Sequence, residues 1–169
     1  VMKRVQGQTM SSFLESEDWP ESQLRKMLNT LIRVCNGLDY AHSKNIFHRD
    51  IKPDNIMLGT FGEVYLLDWG IAVQSDEIVS LPVGLVGTPA YMAPEMLSGK
   101  PEDVDERTDV YLLGTTLHHI LTGEIRHNAE TFRGVKKQII ESAKYEYDSS
   151  VPIILARLAN KACHPNPDK

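Results

Sequence analysis

The sequence predicts an α+β fold, mainly helical, with short β-hairpins set between the helices. Three observations carry this. Leu24, Met27, Leu28, Leu31, Cys35, Leu38 and Ala41 recur at three- and four-residue steps, the apolar face of one long helix. Residues 109–122 are apolar on most sides (Val110, Leu112, Leu113, Leu117, Ile120, Leu121), the pattern of a buried helix. Two short apolar runs, 56–58 and 64–67, flank a Gly-Thr-Phe-Gly turn at 59–62. With 169 residues the chain is long enough for one domain with its own core.

Composition narrows the function. Hydrophobic residues make up 41% and charged residues 24%, ordinary for a globular protein. The net charge of −5 argues against a nucleic-acid partner. Neither Cys35 nor Cys163 has a CxxC neighbour. They read as reduced, buried, small hydrophobes, which suits a cytoplasmic location. No apolar run is long enough to span a membrane, and no signal peptide opens the chain.

In chain order, residues 1–5 read as a strand ended by Gly7, and 9–14 as one or two helical turns. An acidic connection follows at Glu15, Glu17 and Asp18. Residues 18–21 form a capping-box pattern with Pro20 in the first turn, opening the long helix that runs to about His42. His42 reads as a packed or capping histidine. Residues 71–86 show no period and read as a mobile loop. Thr108 is a candidate cap for the buried helix, and Gly123 a candidate stop. His118 and His119 are adjacent, so they do not share a helical face for a metal. Residues 132–143 and 153–162 read as two amphipathic helices. Cys163 with His164 lacks two further ligands for zinc.

The chemistry concentrates at His48-Arg49-Asp50-Ile51-Lys52-Pro53-Asp54-Asn55. Asp50 can take a proton, Lys52 can hold negative charge beside it, and Asn55 offers a neutral oxygen to a metal. The hairpin that follows puts Asn55 at one end and Asp68 at the other. Two oxygen ligands held across a hairpin suit a magnesium ion that also binds phosphate.

These residues, with Asp68-Trp69-Gly70, Ala93-Pro94-Glu95 and the buried helix opened by Asp109, resemble the motifs of the eukaryotic-type serine/threonine protein kinases, in the order of that family. The resemblance covers nearly the whole chain. It implies a protein kinase-like fold, mainly the helical large lobe with most of the small lobe absent. Residues 1–8 would form the hinge strand and 9–169 the C-terminal lobe, with a catalytic loop at 48–55 and an activation segment at 68–95.

By the same resemblance, ATP and Mg2+ are the cofactors and a protein serine or threonine is the substrate. Asp50 would accept or orient the hydroxyl proton, and Lys52 would stabilise the moving phosphate. Asn55 and Asp68 would hold magnesium. Lys52 together with Thr88 looks like the serine/threonine branch. Met2 would guard the back of the pocket, and backbone groups of Lys3 and Val5 would meet adenine. Thr9 would lie near the ribose and Met57 beneath the base.

His48 and Asp109 are implied to be structural, with Asp109 accepting hydrogen bonds from the catalytic-loop backbone. Arg49 would pair with a phosphate on 71–86, where Ser75 and Ser80 are the candidate acceptors, or with Asp76 or Glu77. Glu95 would lack its charge partner, which in the family follows the Pro-Asp-Lys region at 167–169.

The sequence departs from the family in two ways. Trp69 replaces a phenylalanine and is expected to anchor its turn by burying the ring. No glycine-rich GxGxxG loop and no strand lysine are present. The 169-residue chain is therefore expected to transfer phosphate poorly by itself. A pseudokinase that uses the lobe as a binding platform is the alternative, and a small-molecule phosphotransferase is the third reading. Intact Asp50, Lys52, Asn55 and Asp68 speak against the platform. The Ala-Pro-Glu segment and Thr88 speak against the phosphotransferase.

Overall fold

A computed structural model describes residues 6–15, 21–75 and 84–167, and the side chains of Glu21, Ser22 and Pro101 are not described. The elements run β1 (Gly7–Thr9), α1 (Met10–Leu14), α2 (Glu21–His42), β2 (Ile46–Phe47), β3 (Ile56–Gly59), β4 (Val64–Leu66), β5 (Val73–Gln74), α3 (Glu106–Thr122), α4 (Phe132–Glu141) and α5 (Ile153–Ala162). Helices dominate and the strands are short, as the α+β reading expects.

The core gathers around α3. Met27, Leu31, Val34 and Leu38 of α2 meet Leu112, Leu117 and Ile120 of α3 and Ile139 of α4 in one apolar cluster. Each such side chain, fully buried, contributes roughly 2 kcal/mol of favourable transfer free energy. Val34, not Cys35, completes the buried stripe of α2, and Cys35 is exposed. The spacing admits either residue, since both fall within the three- to four-residue step. Cys163 is fully buried, as expected.

Helix α3 begins earlier than the sequence suggested. Asp105 is its N-cap and accepts from the Arg107 amide at 2.8 Å. Thr108 lies inside the first turn and accepts from the Asp105 amide at 3.4 Å. A carboxylate competes better than a hydroxyl for the free amides of a first turn. Gly123 ends the helix in the left-handed region, φ 72°. Helix α4 stops at Glu141, two residues short of the expected end, and α5 matches its expected span.

Strands β1, β3 and β4 form an antiparallel sheet in the order β1-β3-β4. Gly7 opens β1 where the sequence had it ending a strand. It faces Gly59, and a Cβ there would stand 2.1 Å from the Leu58 carbonyl oxygen, so a side chain is not accommodated. Residues 71–86 are not wholly irregular. Phe47 pairs with Val73, and Ile46 with Gln74. Two-residue strands are too short to show alternation in sequence. The proposed strand at 1–5 and residues 18–20 of the proposed capping box lie outside the described residues.

Candidate active site

The loop after β2 takes its shape from a carboxylate about 60 residues away. Asp109, with no exposed surface, accepts from the His48 amide at 2.9 Å, from the Arg49 amide at 2.9 Å and from His42 Nε2 at 2.8 Å. Arg49 sits at φ 67°, a conformation that costs a residue with a side chain about 1–2 kcal/mol. Hydrogen bonds to a buried carboxylate offset that cost. His42 is thus neither a helix cap nor a simple packing residue. Its link to Asp109 spans the chain, so no local pattern signals it.

His48 is also fully buried. Its Nε2 lies 3.0 Å from the Leu67 carbonyl, and its Nδ1 accepts from the Asp50 amide at 3.2 Å. These partners place the proton on Nε2. Burial holds the imidazole below its ordinary pKa, against the Leu67 hydrogen bond and the nearby carboxylates of Asp109, Asp50 and Asp68. It is neutral near pH 7 and bridges the 48–55 loop to the backbone just before Asp68.

Asp50 is the hub. Its Oδ1 accepts from the Thr88 hydroxyl at 2.7 Å, and its Oδ2 from Asn55 Nδ2 at 2.9 Å. The Lys52 ammonium lies 3.0 Å from Oδ2 and donates to Thr88 Oγ1 at 2.5 Å. Burial alone would raise the Asp50 pKa. Hydrogen bonds from Thr88 and Lys52, the Lys52 charge and the Asn55 bond outweigh it and hold the group below the usual carboxylate range. Thr88, 38 positions away, thus joins the nearby Lys52 and Asn55 on one carboxylate.

Asn55 also donates from Nδ2 to the Asp50 carbonyl at 2.8 Å, which leaves its amide oxygen free of protein hydrogen bonds among the described residues. The Leu67 amide donates to the Asn55 carbonyl at 2.7 Å, so the hairpin ends meet as the sequence predicts. Asp68, one residue on, is exposed and left-handed at φ 58°. A free amide oxygen and an exposed carboxylate are hard oxygen donors, the set that suits magnesium. Among the described residues no three His, Cys, Asp or Glu side chains form a metal cluster, so a cation here would complete its shell with phosphate and water.

The remaining candidates sit as follows. Thr9 and Met57 face each other across β1 and β3, both half-buried. Arg49 donates through Nε (2.7 Å) and Nη2 to the Ile71 carbonyl, tying down the segment that carries Ser75. Ser75 is exposed, and its amide donates to the Asn45 carbonyl at 2.9 Å. Glu95 is half-buried and accepts from the Thr108 hydroxyl at 2.7 Å. Met2, Lys3, Val5, Asp76, Glu77 and Ser80 lie outside the described residues.

Trp69 differs from expectation. It is 41% exposed and anchors its turn through an indole hydrogen bond to the Leu66 carbonyl (3.0 Å) and an edge contact with the His48 ring (4.6 Å between centroids). The indole N–H finds its partner in the backbone of its own turn, with the ring left partly at the surface.

Sequence reasoning also missed Tyr91 and His119, whose side chains meet at 2.8 Å and pin the end of the 88–91 turn to α3. Gly87, at φ 106°, lets the chain pass close to the Arg49 carbonyl, where a Cβ would stand 3.2 Å away.

The family model described as "Protein kinase domain" matches residues 1–169. The serine/threonine-protein kinase PknD of Chlamydia felis is 33% identical over 197 aligned positions, covering 99% of this chain and 21% of that protein. PknD of Chlamydia trachomatis serovar D is also 33% identical, with the same coverage. PknD of Chlamydia caviae is 37% identical over 150 positions, 72% of this chain and 16% of its own. The chain therefore spans about a fifth of the length of the curated relatives it matches in full.

Proposed function

The chain belongs to the protein kinase family, and from that premise we propose that the protein containing it transfers the γ-phosphate of ATP to a serine or threonine hydroxyl of a protein substrate. One observation carries the reading: Asp50, Lys52, Asn55 and Thr88 share one hydrogen-bonded cluster around a depressed carboxylate.

Asp50 is ionised at neutral pH and accepts a hydrogen bond from the incoming hydroxyl, which it holds in line for attack. A carboxylate with a depressed pKa is a weak base before the reaction starts, so its first contribution is orientation. The proton passes to it as the hydroxyl oxygen bonds to the γ-phosphorus and the bond from that phosphorus to the β–γ bridging oxygen breaks, releasing ADP. Lys52 sets a positive charge at 3.0 Å from the same carboxylate, where negative charge moves during transfer. Thr88 couples the 88–91 turn to Asp50 and makes the state of that segment felt at the reacting hydroxyl.

Asn55 and Asp68 would hold magnesium. When bound with ATP, the metal neutralises phosphate charge and orients the transferred group. Asn55 also fixes Asp50 through its amide nitrogen, so one residue serves both centres. Thr9 and Met57, paired across β1 and β3, would flank the ribose and the base. Phosphorylation of Ser75 or Ser80 would add an anion near Arg49 and order the segment further.

The complete protein, given ATP, Mg2+ and a generic protein substrate, should form phosphoserine or phosphothreonine, and Asp50→Asn should lower the rate by about 10²–10⁴. Magnesium-dependent nucleotide binding lost in Asp68→Asn supports the metal assignment. Nucleotide-independent stability with no transfer under any condition would favour a pseudokinase platform instead. The 169-residue chain has no glycine-rich loop and should transfer poorly by itself. Robust Asp50-dependent phosphorylation by the purified chain would overturn that expectation.

A further inference from the structure

A second surface lies on the outer side of α2, against the β3–β4 hairpin. A groove of about 400 Å³ is lined there by Arg25, Lys26, Asn29, Arg33, Leu58 and Val64, with Gly59, Gly62 and Glu63 at its rim. Arg25, Asn29 and Arg33 recur every four residues, so they form one stripe along the helix. Arg25, Lys26 and Arg33 are exposed, and no carboxylate pairs with them among the described residues. Lys26 instead lies 4.1 Å from the centre of the Phe13 ring, and Arg33 Nη1 donates to the Gly62 carbonyl at 2.5 Å.

The hairpin end of the groove is rigid. The Gly59 amide donates to the Glu63 carbonyl at 2.8 Å, and the Gly62 amide to the Gly59 carbonyl at 3.2 Å. The Glu63 carboxylate folds inward to accept the Phe61 amide at 3.0 Å. That bond turns the one acid of the groove toward the turn. Phe61, at the tip of the turn, is 91% exposed, and its neighbour Gly62 takes the Arg33 hydrogen bond. An exposed ring one residue from the Arg33 contact, with a basic stripe along the helix, offers an apolar anchor and a charge pattern together.

We propose that this groove is a docking surface for an acidic, extended peptide segment of a partner protein, with an apolar side chain seated against Phe61. Charge complementarity selects the occupant. The chain carries a net charge of −5, so an acidic peptide is drawn only to local concentrations of basic side chains, and this stripe borders a cleft with apolar walls. The concave cleft between helix and hairpin fits a single extended strand better than a flat lipid surface. Binding here is separate from nucleotide and metal binding, so it stands or falls independently of phosphoryl transfer.

The test is fluorescence anisotropy with the complete protein and a short, labelled Glu/Asp-rich peptide containing one central leucine. Saturable binding that weakens as salt is raised is expected. The Arg25→Glu/Arg33→Glu variant should bind about tenfold more weakly, since two exposed ion pairs become repulsive. Phe61→Ser should weaken binding without changing its salt dependence. Arg133→Glu/Lys136→Glu, on the exposed face of α4, should leave it unchanged. Each variant's melting temperature, close to the parent's, separates lost binding from lost folding.

Three results would overturn the proposal: no binding, equal binding by the Arg25/Arg33 variant, or equal binding of a peptide with lysines in place of the acids. Co-sedimentation with phosphatidylserine vesicles through Arg25, Arg33 and Phe61, without peptide binding, would also overturn it and assign the patch to a membrane surface.

Discussion

Replacing Asp50 with asparagine preserves its size and removes the acceptor charge at the centre of the cluster. Phosphoryl transfer by the complete protein should fall by about 10²–10⁴, the usual weight of a positioned proton acceptor. A pH-dependent signature accompanies this. The folded Asp50 pKa lies below the unfolded value near 3.9. The stability it adds is therefore fully present above that unfolded value and lost as pH falls through the folded one. Urea unfolding of parent and Asp50→Asn should show a constant difference from about pH 5 to pH 8 and convergence only in stronger acid. A difference that grew between pH 6 and pH 8 would contradict the hydrogen-bond assignment.

Asp109 tests a different link. Asparagine there has one acceptor atom where the carboxylate has two, so a buried donor among His48 N, Arg49 N and His42 Nε2 loses its partner. Asp109→Asn should cost about 1–3 kcal/mol in denaturant unfolding. It should also lower the transfer rate, because the loop that carries Asp50 loses its fixed shape.

At the scale of elements, the packing of α3 on α5 depends on the absence of a side chain. A Cβ on Gly114 would stand 2.6 Å from the Ala162 Cβ and 2.9 Å from the Cys163 sulfur. Gly114→Ala gains helix propensity but forces the helices apart, so the net result should be a loss of about 1–3 kcal/mol in thermal or denaturant unfolding. The same interface makes the two cysteines unequal. Cys163 is sealed and its thiol is pushed up to about 12 by burial, whereas Cys35 lies on the exposed side of α2. A thiol reagent should label one cysteine in the native chain and both after denaturation. Labelling of Cys163 before Cys35 would show that α5 detaches from α3 in the native state.

For the molecule as a whole, legibility followed the distance between partners. The long helix ending at His42, the hairpin holding Asn55 and Asp68, and the span of α5 were readable because periodicity and turn residues are local. Asp50, Lys52, Asn55 and Asp68 stood out as candidates because their spacing is a motif. The exposure of Cys35 was hidden because a helical stripe does not decide between adjacent residues. The β2–β5 pair was hidden because its strands are two residues long. The His42–Asp109 and Tyr91–His119 bonds join residues 67 and 28 positions apart, and no local pattern announces either.

The buried Asp109 also sets a clock. The His48 and Arg49 amides donate into a carboxylate with no exposed surface, so neither can meet solvent until α3 leaves the loop. Their hydrogen–deuterium exchange should proceed at the free energy of global unfolding, while the Phe61 amide at the exposed hairpin tip exchanges through local fluctuation. Slow exchange in the 48–55 loop, where loops normally exchange fast, would mean that the candidate site keeps its shape for as long as the core survives. Catalysis and folding would then fail together on heating.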